Sequence, residues 1–65
     1  MTNEELKTAL FSGCPVEHNG AVYKKVTAII YRNVGGTLLI QAELLDKNSN
    51  SVSIVNPKNI KEVTP

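Results

Sequence analysis

The stretch AIIYRNVGGTLLIQAELL, Ala28 to Leu45, constrains the fold more than any other part of the chain. Apolar residues fall on both odd and even positions, β-branched and aliphatic types dominate, and the run is broken once, by Gly35-Gly36. Two strands joined by a tight turn, with cover on both faces, satisfy such a pattern. The rest of the chain must supply that cover. A single short domain has little material for it, because about 65 residues bury only about 60% of the surface exposed by their unfolded chain.

Register follows from the turn. With Asn33, Val34 and Gly35 as a three-residue loop, paired residues place Ile30 opposite Leu38, Ala28 opposite Ile40 and Val26 opposite Ala42. The other face then pairs Ile29 with Leu39, Thr27 with Gln41, and Lys25 with Glu43 as an ion pair. A slip that sets Lys25 against Leu45 loses that pair. In LLDKNSNSVSIV, a loop of Lys47, Asn48 and Ser49 sets Leu44 against Val52 and Ala42 against Ile54. The even positions Val22, Val26, Ala28, Ile30, Leu38, Ile40, Ala42, Leu44, Val52 and Ile54 are all apolar, and this predicts the core face. On the odd face, Ile29, Tyr31, Leu39 and Val55 form an apolar end.

Outside this stretch the signals are local. Thr2 with Glu5 three residues later forms a capping box, Leu6 and Leu10 lie one turn apart with Phe11 beside them, and Ser12-Gly13 followed by Pro15 stops the run. A helix over residues 2–12 is predicted. It is too short to stand alone in water, so its Leu6/Leu10/Phe11 stripe is expected to lie on the apolar odd-face end. Asn19-Gly20 reads as a two-residue hairpin turn, and VYKKVTAIIYR as a strand long enough to bend between two parts of a barrel. The tail reads as a strand, a Pro-led turn at residues 57–60 and a short strand around residues 61–63.

Strand spacing and the segment NPKNIKEV resemble the later part of an SH3-like small barrel, over residues 15–64. The resemblance implies a small barrel of about five antiparallel strands; with the N-terminal helix read above, the expected fold is mainly β, in a single domain spanning residues 1–65. The acidic and aromatic signature of proline-peptide-binding SH3 domains is absent, so no ligand is implied. The chain also resembles short proteins of unassigned activity encoded by bacteria and their mobile elements, a likeness that implies no activity.

Chemistry is sparse. Cys14 and His18 stand four apart in extended chain, roughly 13 Å, so they form no nucleophilic dyad; the expectation is a half-buried thiol and a solvent-facing imidazole. One Cys, one His and scattered carboxylates lack the ligand spacing of a metal site. Gly35-Gly36 has no Lys-Ser/Thr after it and is no phosphate loop. A lone Cys fits a reducing compartment, and neither a secretion signal nor a membrane span is legible, so a cytoplasmic protein is expected. A net charge of +1 gives no general attraction to nucleic acid or to a membrane.

The expected function is therefore non-catalytic, with no cofactor, no metal and no small-molecule substrate. The chain is expected to be an adaptor-like interaction module that binds another protein through a barrel rim or an exposed strand edge, with Tyr23, Lys25, Glu43 and Leu45 as the rim. The alternative is a single-stranded nucleic-acid binder that stacks bases on Tyr23 and Tyr31 beside Lys25 and Arg32.

Overall fold

A computed structural model describes residues 1–63, and the last position of the expected barrel, Thr64, lies outside them. The chain is mainly β with one helix. α1 (Asn3–Ser12) is followed by β1 (Val16–His18), β2 (Ala21–Tyr23), β3 (Lys25–Val34), β4 (Thr37–Leu45), β5 (Val52–Val55), a 3₁₀ turn (Pro57–Asn59) and β6 (Ile60–Glu62). The strands form two three-stranded antiparallel sheets, ordered β2-β1-β6 and β3-β4-β5. No ladder among the described residues joins them into one closed barrel.

The helix begins as its sequence predicts. Thr2 Oγ1 accepts the Glu5 amide at 3.2 Å, and the Thr2 amide donates to Glu5 Oε1 at 2.8 Å. That second bond, from the Thr2 backbone, holds the Glu5 carboxyl below its ordinary range. Gly13, at φ +71°, ends the helix in the left-handed conformation and donates its amide to Ala9 O. Leu6 and Ala9 are buried and Leu10 is half-buried, whereas Phe11 is 87% exposed. The docking stripe is thus Leu6, Ala9 and Leu10; Phe11, about 100° further round the helix than Leu10, points to solvent.

The core lies between the two sheets and the helix. Leu6, Val16, Val26, Ala42, Leu44 and Ile60 are buried with Ala9, and Met1, Leu10, Tyr23, Ile29, Ile40 and Val55 pack around them. A fully buried side chain of this size contributes about 1.5–3 kcal/mol. The Met1 amino group closes the assembly by donating to Pro57 O and Ile60 O at 2.9 and 3.0 Å, which fastens the helix end to the chain leading into β6.

Asn19 and Gly20, at φ +51° and +85°, form the predicted hairpin turn, closed by His18 opposite Ala21. The chain then bends at Lys24 and passes from one sheet to the other, where the Lys24 amide donates to Leu45 O.

The register of β3, β4 and β5 differs from the predicted one throughout. Gly35 and Gly36, at φ +58° and +84°, make a two-residue turn, closed by Val34 opposite Thr37. A type I′ turn needs both central residues left-handed, and only the glycine pair supplies that without a Cβ penalty. Asn33 Oδ1 accepts the Gly36 amide at 2.9 Å and holds the turn. Ile30 therefore faces Gln41, not Leu38, and Ile29 faces Ala42, not Leu39. The second loop has four residues: the Asp46 amide donates to Ser51 O, and Leu44 meets Ser53, not Val52. Both loops have an even length where an odd one was expected, so the faces of β3 and β5 are exchanged relative to β4.

A bulge at Thr27 partly restores the expected pattern. Below it, Lys25 faces Leu45 and Val26 faces Leu44; above it, Ala28 faces Glu43. The inner face is consequently Val26, Ile29 and Tyr31 on β3, Ile40, Ala42 and Leu44 on β4, and Ser53 and Val55 on β5. Of the predicted core positions, Val26, Ala42 and Leu44 are buried and Ile40 is half-buried. Val22, Leu38, Val52 and Ile54 are exposed, and Ala28 and Ile30 lie on the outer face.

The β3–β4 hairpin runs past the core. Ten residues at ~3.3 Å each account for most of the molecule's 39 Å long axis. Tyr31, Val34, Leu38 and Leu39 at its far end are all exposed, so the helix does not cover the glycine end as predicted. It packs against β3 on the inner face instead, with Leu6 and Ala9 joining the buried core that Ile29 flanks.

Candidate functional site

The outer face of the β3-β4-β5 sheet carries an apolar surface with no element packed over it among the described residues. Leu45 on β4 stands between Lys25 on β3 and Val52 on β5; Glu43, two residues back, stands between Ala28 and Ile54. Further along, Gln41 faces Ile30 and Leu39 faces Arg32. Val52, Ile54 and Leu39 are 50%, 44% and 40% exposed, which is unusual density for large aliphatics on so small a sheet. The polar groups on this face are held in place. Thr27 Oγ1 donates to Glu43 Oε1 at 2.7 Å, and Arg32 Nε donates to Gln41 Oε1 at 2.8 Å.

Three of the four predicted rim residues, Lys25, Glu43 and Leu45, share this outer face. The expected Lys25–Glu43 ion pair does not form: Glu43 binds Thr27, and Lys25 stands beside Leu45. The one ion pair among the described residues is Lys7–Glu4, at 4.0 Å on the helix. Tyr23 is not on the rim. It faces Val16 across the β1–β2 ladder and packs half-buried on the core.

The nucleic-acid set does not converge. Tyr23 points inward, Tyr31 lies at the far end of the inner face opposite Ile40, and Lys25 and Arg32 are on the outer face near opposite ends of β3. No stacking ring lies beside a cation in that arrangement. Cys14 is exposed and His18 half-buried in the β1 ladder, the reverse of the expected burial. No group of three or more His, Cys, Asp or Glu residues that could hold a metal is found among the described residues, and no helix there is long and apolar enough to cross a membrane.

Sequence reasoning missed a second feature. β5 ends at Val55, opposite Ala42, while β4 continues back to Thr37. The lane beside Leu38, Leu39 and Ile40 is therefore without a strand. It opens into a groove of about 470 Å³ walled by Leu38, Leu39, Ile40, Pro57 and Met1, with Asn56 and Lys58 at the lip. The signal was present in the lengths: a nine-residue β4 cannot be covered by a four-residue β5. Comparisons with family models, curated proteins and solved structures find no match to this chain.

Proposed function

We propose that the chain is a non-catalytic interaction module, an SH3-like small barrel in plan, that binds another protein through the outer face and exposed strand edge of its β3-β4-β5 sheet. The architectural part draws support from the strand order, from the bend at Lys24 that makes β2 and β3 one strand shared by two sheets, and from the 3₁₀ turn before β6. Counted that way, the strands number five.

The observation that carries the functional part is the uncovered cluster of Leu45, Val52 and Ile54 with Lys25 and Glu43 at its border. An apolar centre with a charged edge is the usual anatomy of a protein-binding patch.

Affinity capture with the purified chain tests this. Val52→Lys and Ile54→Lys each reduce retention of a captured protein at least tenfold, while Phe11→Ser, at a still more exposed apolar side chain on the helix, leaves it unchanged. A set of proteins retained alike by all four chains defeats the proposal. Titration with a single-stranded oligonucleotide checks the other class of partner: saturable, salt-sensitive shifts at Lys25 and Arg32 would favour nucleic acid.

A further inference from the structure

The geometry points to the groove beside Leu38 and Ile40 as a slot for an extended peptide segment that pairs with β4 as an added strand and places an acidic side chain next to Lys58. This rests on the reading of the chain as a protein-binding module and assigns the kind of segment it takes.

Hydrogen-bond parity along β4 carries the inference. In an antiparallel ladder each residue directs both its N–H and its C=O to one neighbour, and successive residues alternate sides. The two-residue turn makes Val34 and Thr37 a bonded pair, so Thr37, Leu39 and Gln41 address β3. Asp46 donating to Ser51 O makes the even residues Ala42 and Leu44 address β5. Lys24 donating to Leu45 O agrees with both, since it turns an odd residue toward β3. All three place the amide and carbonyl of Leu38 and Ile40 on the β5 side. That lane is empty of strand beyond Val55, and neither residue finds another backbone or side-chain partner among the described residues.

Two unpaired donor–acceptor sets, two residues apart, are the template an added strand needs. β4 at this point is unguarded: Leu38, Leu39 and Ile40 bring no charge, proline or bulge of the kind that blunts an edge. The groove gives the segment's side chains apolar walls in Leu38, Ile40 and Pro57. Its volume falls in the range of ordinary ligand sites. Lys58 is the single charged side chain at its lip and makes no ion pair among the described residues, and Glu4 and Lys7, which do pair, are not part of the wall. A segment alternating apolar and polar residues, with one Asp or Glu at the Lys58 end, complements this arrangement in hydrogen bonds, apolarity and charge.

The test uses capped seven-residue peptides of alternating Val and Thr carrying one terminal-side Asp, a matched set with Lys in place of Asp, and a set N-methylated at every residue so that neither edge can pair, titrated into ¹⁵N-labelled full chain. Saturable shifts of the Leu38, Ile40 and Lys58 amides are expected with the Asp peptides. Binding should weaken at least threefold with the Lys peptides or in Lys58→Glu, and disappear with the N-methylated set. Leu38→Pro removes an N–H that β3 does not use, so the hairpin persists while binding falls at least tenfold; an unchanged spectrum elsewhere certifies the fold. Peptides that leave Leu38 and Ile40 unshifted at millimolar concentration, or that bind Leu38→Pro as well as the parent, overturn the slot. A protein captured by the parent and by Leu38→Pro, yet lost by Ile54→Lys, likewise rejects the slot while the outer-face reading stands. Loss of neither rejects both.

Discussion

The two faces of the β3-β4-β5 sheet both carry large aliphatic side chains, which meet opposite fates. On the inner face, Val26, Ala42 and Leu44 are buried at 1% exposure or less, under Leu6 and Ala9 of the helix and Val16 and Ile60 of the second sheet. On the outer face, Leu39, Val52 and Ile54 have two-fifths to half of their surface in water. Aliphatic content alone does not separate them, although the charged residues Lys25, Arg32 and Glu43 all lie on the outer face. What separates them is which face the bend at Lys24 and the bulge at Thr27 turn toward the rest of the chain. The inner aliphatics answer to the fold, and the outer ones are left for something else.

The largest test of that division is truncation on each side. Leu44→Ala removes a fully buried side chain and is expected to cost about 2–5 kcal/mol, a substantial part of the roughly 3–10 kcal/mol that a domain of this size holds. Urea unfolding followed by circular dichroism measures it. A loss under about 1 kcal/mol would mean that the inner face is not the core.

The next effect lies in the turn that assigns the faces. Gly35→Ala and Gly36→Ala should each cost about 1–2 kcal/mol, because both positions are left-handed. A Cβ at either glycine meets nothing within 4 Å, so the cost is one of backbone conformation and not of crowding. In the alternative three-residue loop Gly36 is a strand residue, where alanine is neutral or favourable. A neutral Gly36→Ala would therefore restore the other register and exchange the faces of β3.

This sensitivity explains what could be read from the residues and what could not. Signals contained within four or five positions were legible: the Thr2/Glu5 box, Gly13 as the helix stop, Asn19-Gly20, and the 3₁₀ turn opened by Asn56-Pro57, whose Lys58 amide donates to Asn56 Oδ1. Register was not, since it adds local choices along the chain. Val34 and Asn33 fit either a strand end or a loop, and one residue of difference there inverts β3. Apolarity on both faces removed the usual arbiter, because the pairing of Ile30 with Leu38 looks as reasonable as that of Ile29 with Ala42. The Lys25–Glu43 ion pair then argued for the wrong choice. A half-buried Thr27 hydroxyl that can bind Glu43 is the stronger local partner here, and it comes with the bulge. For the site, Lys25, Glu43 and Leu45 were legible as a group because they lie on one side of the bulge-proximal sheet. Val52 and Ile54 were assigned inward by the same slip.

The bulge is the next place to press. Thr27→Val keeps the β-branched shape and deletes the donor to Glu43 Oε1 and Glu43 O, at 2.7 and 3.3 Å. An expected cost of about 1 kcal/mol follows from one net hydrogen bond between half-buried groups. Amide hydrogen exchange should quicken locally at Ala28 and Glu43 while the Val26–Leu44 pair stays protected. Unchanged stability and exchange would show that side-chain chemistry does not hold the bulge, and that sheet twist alone sets the boundary between the two faces.

The smallest expected change in stability is the one that separates the faces most cleanly. Ile54→Thr swaps one β-branched residue for another, so strand preference is nearly kept, and it alters a side chain that is 44% exposed. Its effect on folding should stay within about 0.5 kcal/mol, as for surface substitutions generally. Set beside Leu44→Ala, two residues of similar size on neighbouring strands would then differ severalfold in what they contribute. A loss of 2 kcal/mol at Ile54 breaks the comparison, because it means the outer face is covered in the folded sample. Repeating the measurement at a tenfold lower concentration tells how: a loss that vanishes on dilution comes from a second copy of the chain lying on that face, and one that persists places Ile54 in the core of the monomer.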